Sequence, residues 1–146
     1  MALENLIPGE PIEVLGRFFM FTLVFNDGGA MGTNFGSPVY YLISSLMILI
    51  VVLIYGWLNR HDGYILLPLS LVAGGAVGNI IDRIRFDRVV DFIDVDFFDI
   101  DLFGFVLNRW WTFNIADAGI SVGIVMLFIY VIFNPRARQQ QAQPNS

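Results

Sequence analysis

GGAVGNIIDRIRFDRVVDFID, residues 74–94, is the stretch on which the fold of this chain turns. It opens as apolar, glycine-rich helix, passes through Asn79, Asp82 and Arg83, and leaves into a short run centred on Asp91 between Val90 and Phe92. An acid beside an arginine at the end of a lipid-length helix is costly unless paired, so these side chains need a partner or a chemical task.

Composition sets the medium around that stretch. The 146 residues are 56% hydrophobic with a mean hydropathy of +0.67, which indicates one domain at most and a bilayer rather than an ordinary soluble fold. Cysteine is absent, which excludes disulfides, thiolate metal sites and cysteine nucleophiles. Net charge is −5 and there is no lysine, so no basic surface exists to hold a nucleic-acid backbone. The lone His61 sits in a polar turn without a second ligand near it, and neither a metal nor any other cofactor is expected.

Three segments can span. Residues 38–58 carry no charge and place tyrosines at one end and Tyr55 and Trp57 at the other, the pattern of a spanning helix with aromatic belts. Asn59 to Gly63 is a tight polar turn, and 64–82 returns as a second span to make a helical hairpin. Gly74 and Gly78, four apart, predict a face on which a neighbouring helix approaches closely. Residues 115–133 form the third span, with Asp117 in its first turn.

The rest lies at the interface. Residues 1–17 are too acidic and too rich in proline and glycine for a signal peptide and read as a loop. Phe18 to Phe25 reads as a strand closed by Asn26-Asp27-Gly28-Gly29, then a glycine-rich loop, so that 1–37 is a surface loop with a small sheet. Residues 87–107 read as extended or short amphipathic pieces, their five aspartates from Asp91 to Asp101 as a solvated edge. Arg109-Trp110-Trp111 reads as an interfacial anchor. Residues 134–146 form a polar, glutamine-rich tail expected to be disordered. Arg60, Arg136 and Arg138 fall on one side of the spans and Arg17, Arg83, Arg85, Arg88 and Arg109 on the other, so arginine counting alone opposes the positive-inside rule.

Two aspartates in apolar sequence, Asp91 and Asp117, stand out as candidates for chemistry. Carboxylates brought together in a low-dielectric place cannot both ionise easily. One keeps a proton and polarises a carbonyl while the other takes a proton from water, which is the chemistry of an aspartyl peptidase. Asn79 and Asn114 could hold substrate backbone or the carboxylates without adding charge. Structural readings stand beside these. Asn114 followed at three by Asp117 is also a helix cap with its acid, and Asp82-Arg83 is also a structural ion pair. On those readings the chain is a non-catalytic membrane scaffold or a small transporter subunit.

GGAVGNIIDRI (74–84), VVDFID (89–94) and FNIADAGISVG (113–123), preceded by NDGGAMG (26–32), resemble lipoprotein signal peptidase, the type II signal peptidase of bacteria. The resemblance implies a membrane all-α bundle with a small β-cradle at the outer membrane surface, all in one membrane domain over 1–146. It implies a monomeric aspartyl endopeptidase of the inner membrane. That enzyme removes the signal peptide from a prolipoprotein before its diacylglyceryl-modified cysteine, near the outer face, with the substrate's lipid in the bilayer and the tail in the cytoplasm. Asp91 and Asp117 match the catalytic aspartates, Asn26, Asn79 and Asn114 the motif asparagines, and Arg83 the motif arginine, with Asp82 and Gly75 in support. The family has four spans where three are read here. Met1 falls where the first should end, so a misplaced start or a fragment is expected. NDGGAMG also departs from the usual form of that motif, and the segment from Asp94 to Asp101 is an insert without an assigned role.

Overall fold

The structure, a computed structural model, describes residues 2–28, 37–96, 100–102, 105–107 and 112–133. The glycine-rich loop beyond Gly28, the Arg109-Trp110-Trp111 anchor and the tail from residue 134 lie outside the described residues. Elements follow in the order α1 (Ala2–Asn5), β1 (Ile12–Leu15), β2 (Phe19–Asn26), α2 (Pro38–Leu58), α3 (Gly63–Phe86), β3 (Val89–Val95), β4 (Ile100–Leu102), β5 (Phe105–Leu107) and α4 (Ile115–Phe133). The described part is a bundle of three helices capped at one end by a three-stranded antiparallel sheet, β1-β2-β3, with β4 and β5 as a separate hairpin.

Helices α2, α3 and α4 are each long and apolar enough to cross a membrane. Only 6% of the apolar window of α2 and of α4 is buried, against 44% for α3, which therefore runs between the other two. Pro38 opens α2 at a position where a missing N–H costs nothing. Asp62 opens α3, its carboxylate accepting from Tyr64 N at 3.0 Å and from the Tyr130 hydroxyl of α4 at 2.7 Å, so the cap also ties α4 to the hairpin turn. Three serine hydroxyls inside α2 and α3 are satisfied locally: Ser44 and Ser45 donate to the Tyr41 carbonyl and Ser70 to that of Leu66.

α3 runs past the predicted end at 82 to Phe86, where Asp87 adopts the left-handed conformation (φ 59°) and returns its N–H to the Arg83 carbonyl at 3.0 Å. Asp is among the few side chains that tolerate this backbone. The chain then reverses directly into β3.

The predicted loop at 1–17 is a correction: it contains the helical turn α1 and the edge strand β1, which pairs with β2 through a tight connection at Gly16 (φ +53°). Four residues with every side chain exposed are too few to show a strand period in sequence. The glycine face also differs from the prediction. Gly74 faces open space, whereas a Cβ at Gly75 would overlap the Ala116 carbonyl oxygen of α4, and one at Gly78 would meet Ala116 Cβ at 3.1 Å. From α4, Gly123 lies as close to Pro68 and Val72 of α3. The α3–α4 contact is thus made by Gly75 and Gly78 against Ala116, and Gly123 against the buried Pro68.

Gly75→Ala should therefore lower the thermal midpoint in detergent, at a cost of about 1–3 kcal/mol from overpacking against backbone. Gly74→Ala should leave it unchanged or raise it through helix propensity. Equal midpoints for the two variants would contradict this packing.

Candidate active site

β3 carries Asp91 to the place where the sheet meets the helix ends. Its entry is set by α3, whose Asp82 carboxylate accepts from Val90 N at 3.1 Å. On its far side β3 holds Phe113, two residues before α4: Phe92 N and Ile93 N both donate to the Phe113 carbonyl, at 3.1 and 2.8 Å, and Phe113 N donates to Ile93 O at 2.9 Å. This bridge places Asn114 beside Asp91.

Asn114 caps α4. Its Oδ1 accepts from Asp117 N at 3.0 Å while Asp117 Oδ2 accepts from Asn114 N at 3.3 Å, a reciprocal capping box. With Oδ1 so engaged, Asn114 Nδ2 points the other way and donates to Asp91 Oδ1 at 2.9 Å and to Asn79 Oδ1 at 3.1 Å. Asn79 Nδ2 in turn donates to Asp117 Oδ1 at 2.7 Å. From β2, Asn26 Nδ2 donates to Asp91 Oδ2 at 3.1 Å, and Asn26 Oδ1 accepts from Gly28 N at 3.0 Å. The two aspartates are thus joined by the Asn114 and Asn79 side chains, with Asn26 completing the shell of Asp91.

Asp91 is 2% exposed, Asn114 5% and Asn79 8%, whereas Asp117 is half-buried. Among the described residues every buried side-chain nitrogen and oxygen has a partner. Burial pushes the Asp91 carboxyl up from 3.8 to about 6. The charges of Asp117 and Asp82 add to this rise, and the amides of Asn26 and Asn114 oppose it. A site holding two carboxyls, one of them inclined to keep its proton near neutrality, can act as acid and base together.

All eight residues singled out in the sequence stand in or beside this network. Gly75 contributes no side chain and acts by letting the Ala116 carbonyl approach. The predicted Asp82-Arg83 ion pair is not what holds those residues: Asp82 takes the Val90 amide, while Arg83 donates to the carbonyls of Asn79 at 3.4 Å and Gly28 at 3.2 Å. Gly28, read from the sequence only as part of the Asn26–Gly29 turn, joins the site through its N–H to Asn26 and its carbonyl to Arg83. Phe113 has no signal in the sequence, because its backbone does the work. The expected solvated edge is corrected at Asp91, which is buried among the Asn26 and Asn114 amides, and at Asp94, which is 5% exposed and accepts from Thr22 Oγ1 at 2.7 Å.

Fold and site define a multi-pass membrane protein with paired carboxyls where its helices meet a surface sheet. The sequence model of signal peptidase (SPase) II matches residues 1–133. Lipoprotein signal peptidase of Pelodictyon phaeoclathratiforme is 38% identical over 83% of this chain and 72% of its own length. That of Chlorobium phaeobacteroides is 39% identical over 89% and 83%. A bacterial membrane enzyme solved by the in meso method at 2.3 Å resolution superposes with a TM-score of 0.75 at 26% identity, over 99% of this chain and 81% of that one. The chain belongs to the signal peptidase II family and is a protease; cleavage of signal peptides from prolipoproteins is the activity its site has to account for. Nothing in these relatives supports a scaffold or transporter subunit.

Because the fold holds the Asp91 proton more tightly than the unfolded chain does, the ionised group costs stability above about pH 6 and nothing below 3.8. A protonated-carboxyl infrared band should persist to about pH 6 and be missing from Asp91→Asn. Removing a donor should move its loss to higher pH in Asn26→Ala; an unmoved band would refute the Asn26 contact.

Proposed function

We propose that this protease is an aspartyl endopeptidase in which Asp91 and Asp117 are the catalytic pair. The observation that carries the reading is the hydrogen-bonded chain Asp91–Asn114–Asn79–Asp117, which joins carboxyls from a strand and from a helix start in one site. Asp91, the more buried, holds the resting proton. Asp117, half-buried and open to one side, takes a proton from the attacking water. The protonated Asp91 polarises the scissile carbonyl as the water oxygen bonds to its carbon. Collapse of the tetrahedral species breaks the C–N bond, with the leaving amine taking the proton that Asp117 received. Asn26, Asn79 and Asn114 hold the two carboxyls through the cycle, and Arg83 braces Asn79 and the Gly28 loop.

The substrate on this reading is a prolipoprotein whose diacylglyceryl-modified cysteine follows the scissile bond, with its acyl chains in the lipid and its signal helix along the spans. The pair lies at the bundle end where α3 finishes and α4 begins, and Arg60 lies in the turn at the other end. Taking the Arg60 end as cytoplasmic puts the pair at the outer face of the inner membrane, with the sheet on that surface. Residues 1–146 act as one membrane domain and as a monomer, and no cofactor takes part.

Asp91→Asn and Asp117→Asn should each lower cleavage of a diacylglyceryl-modified prolipoprotein by about 10²–10⁴-fold in a gel-shift assay, with folded yield maintained. For the native chain, kcat/KM should fall as pH rises above about 6, where Asp91 loses its proton. Either variant cutting at the native rate would exclude the pair.

A further inference from the structure

The dyad leaves one buried carboxylate unexplained. Asp94 is 5% exposed, lies three residues beyond Asp91 on β3, and so points to the opposite face of the sheet. We propose that Asp94 and Thr22 are positioning residues for cleavage: their hydrogen bond pins a bulge in β2 that turns Asn26 onto the Asp91 face. This rests on Asp91 being catalytic.

The strand register carries the inference. β2 and β3 pair as Phe19↔Val95, Met20↔Asp94 and Phe21↔Ile93, then resume as Val24↔Asp91, Phe25↔Val90 and Asn26↔Val89. Between Phe21 and Val24 the chain advances three residues while β3 advances two, from Ile93 to Asp91, so β2 holds one extra residue. Without it, Asn26 would fall opposite Arg88. A one-residue slip sends a side chain to the other face, and the Asn26 amide would then point away from Asp91. With the extra residue in place Asn26 pairs with Val89, two positions from Asp91 and on the same face, where Nδ2 reaches Asp91 Oδ2 at 3.1 Å.

Thr22 and Leu23 occupy the bulge. Leu23 is 3% exposed, and its carbonyl accepts from Gly9 N at 3.4 Å. Thr22 Oγ1 donates to Asp94 Oδ2 at 2.7 Å, a charge-assisted bond that ties the extra residue to the neighbouring strand. Since an aspartate in this setting is costly without a partner, the pair holds the bulge where a core aliphatic would leave the register free to slip. Asp91 itself is faced by Asn26 of β2, by Asn114 and Asp117 at the start of α4, and by Asp82 near the end of α3. Arg83, also of α3, lies within electrostatic reach. Loosening the bulge withdraws only the first of these.

The test compares Thr22→Val, Asn26→Ala and the double variant on a diacylglyceryl-modified prolipoprotein in detergent across pH. Thr22→Val should lower kcat by about 10- to 100-fold with KM little changed. Its alkaline limb should move to higher pH as in Asn26→Ala, and the double variant should be no worse than Asn26→Ala alone. Thr22→Ser should restore both rate and limb. Asp94→Leu against Asp94→Asn, which keeps an acceptor, repeats the comparison from the other strand, so misfolding of one variant leaves a second to decide. Losses that multiply in the double variant, or a slowed Thr22→Val with an unmoved limb, would overturn the proposal. A normal Thr22→Val beside a crippled Asn26→Ala would sink this inference alone, whereas Asp91→Asn at the native rate would remove the catalytic assignment beneath it.

Discussion

The Asn114 side chain is the interaction on which the rest of the site depends. Its Nδ2 is shared between Asp91 on the sheet and Asn79 on α3, and its Oδ1 starts α4. Three elements from distant parts of the chain therefore meet at one amide. In a low-dielectric setting an unmade hydrogen bond costs far more than a made one contributes. Displacing any of the three elements leaves buried polar groups unpaired, so the network permits one arrangement and holds the two carboxyls in it.

Helix packing supplies the second constraint. Apolar surface gives helices no reason to associate in lipid, so α3 and α4 must gain from close contact and small residues. Gly75 and Gly78 admit Ala116, and Gly123 admits Pro68. Ala116 is the residue before Asp117, so the contact that brings the helices together also sets the height at which Asp117 meets Asn79. Packing and chemistry here are one geometric condition, which is why Gly75 belongs with the site although it offers no functional group.

Legibility follows from how far a signal extends along the chain. A charge-free run such as Pro38–Leu58 announces a span, and the separation of Asn114 from Asp117 announces a cap, because both are periodic or local. The aromatic run before Asn26 announced β2 for the same reason. β1 was hidden because four exposed residues carry no alternation. Gly74 and Gly75 are adjacent and chemically identical, so only the helix phase against α4 tells which one packs. Asp82-Arg83 invited pairing with each other, yet adjacent residues on a helix do not face one another, and each found a backbone partner instead. Asp94 looked solvated because its partner, Thr22, lies 72 residues earlier in the chain.

The placement of Arg83 shows how the site keeps its charges usable. A guanidinium bonded directly to Asp91 or Asp117 would hold that carboxylate ionised and occupy its oxygens, ending acid–base exchange. Arg83 instead spends its donors on the carbonyls of Asn79 and Gly28, while remaining within electrostatic reach of Asp117, Asp91 and Asp82. The positive charge then offsets the excess of carboxylates at a distance, without choosing between them. The contacts to the carboxyl oxygens fall mainly to neutral amides, which can donate to a carboxylate and still leave room for a proton on it. Neutral donors close in and the cation one step back is the arrangement that the proposed pair needs if its two carboxyls are to share one proton.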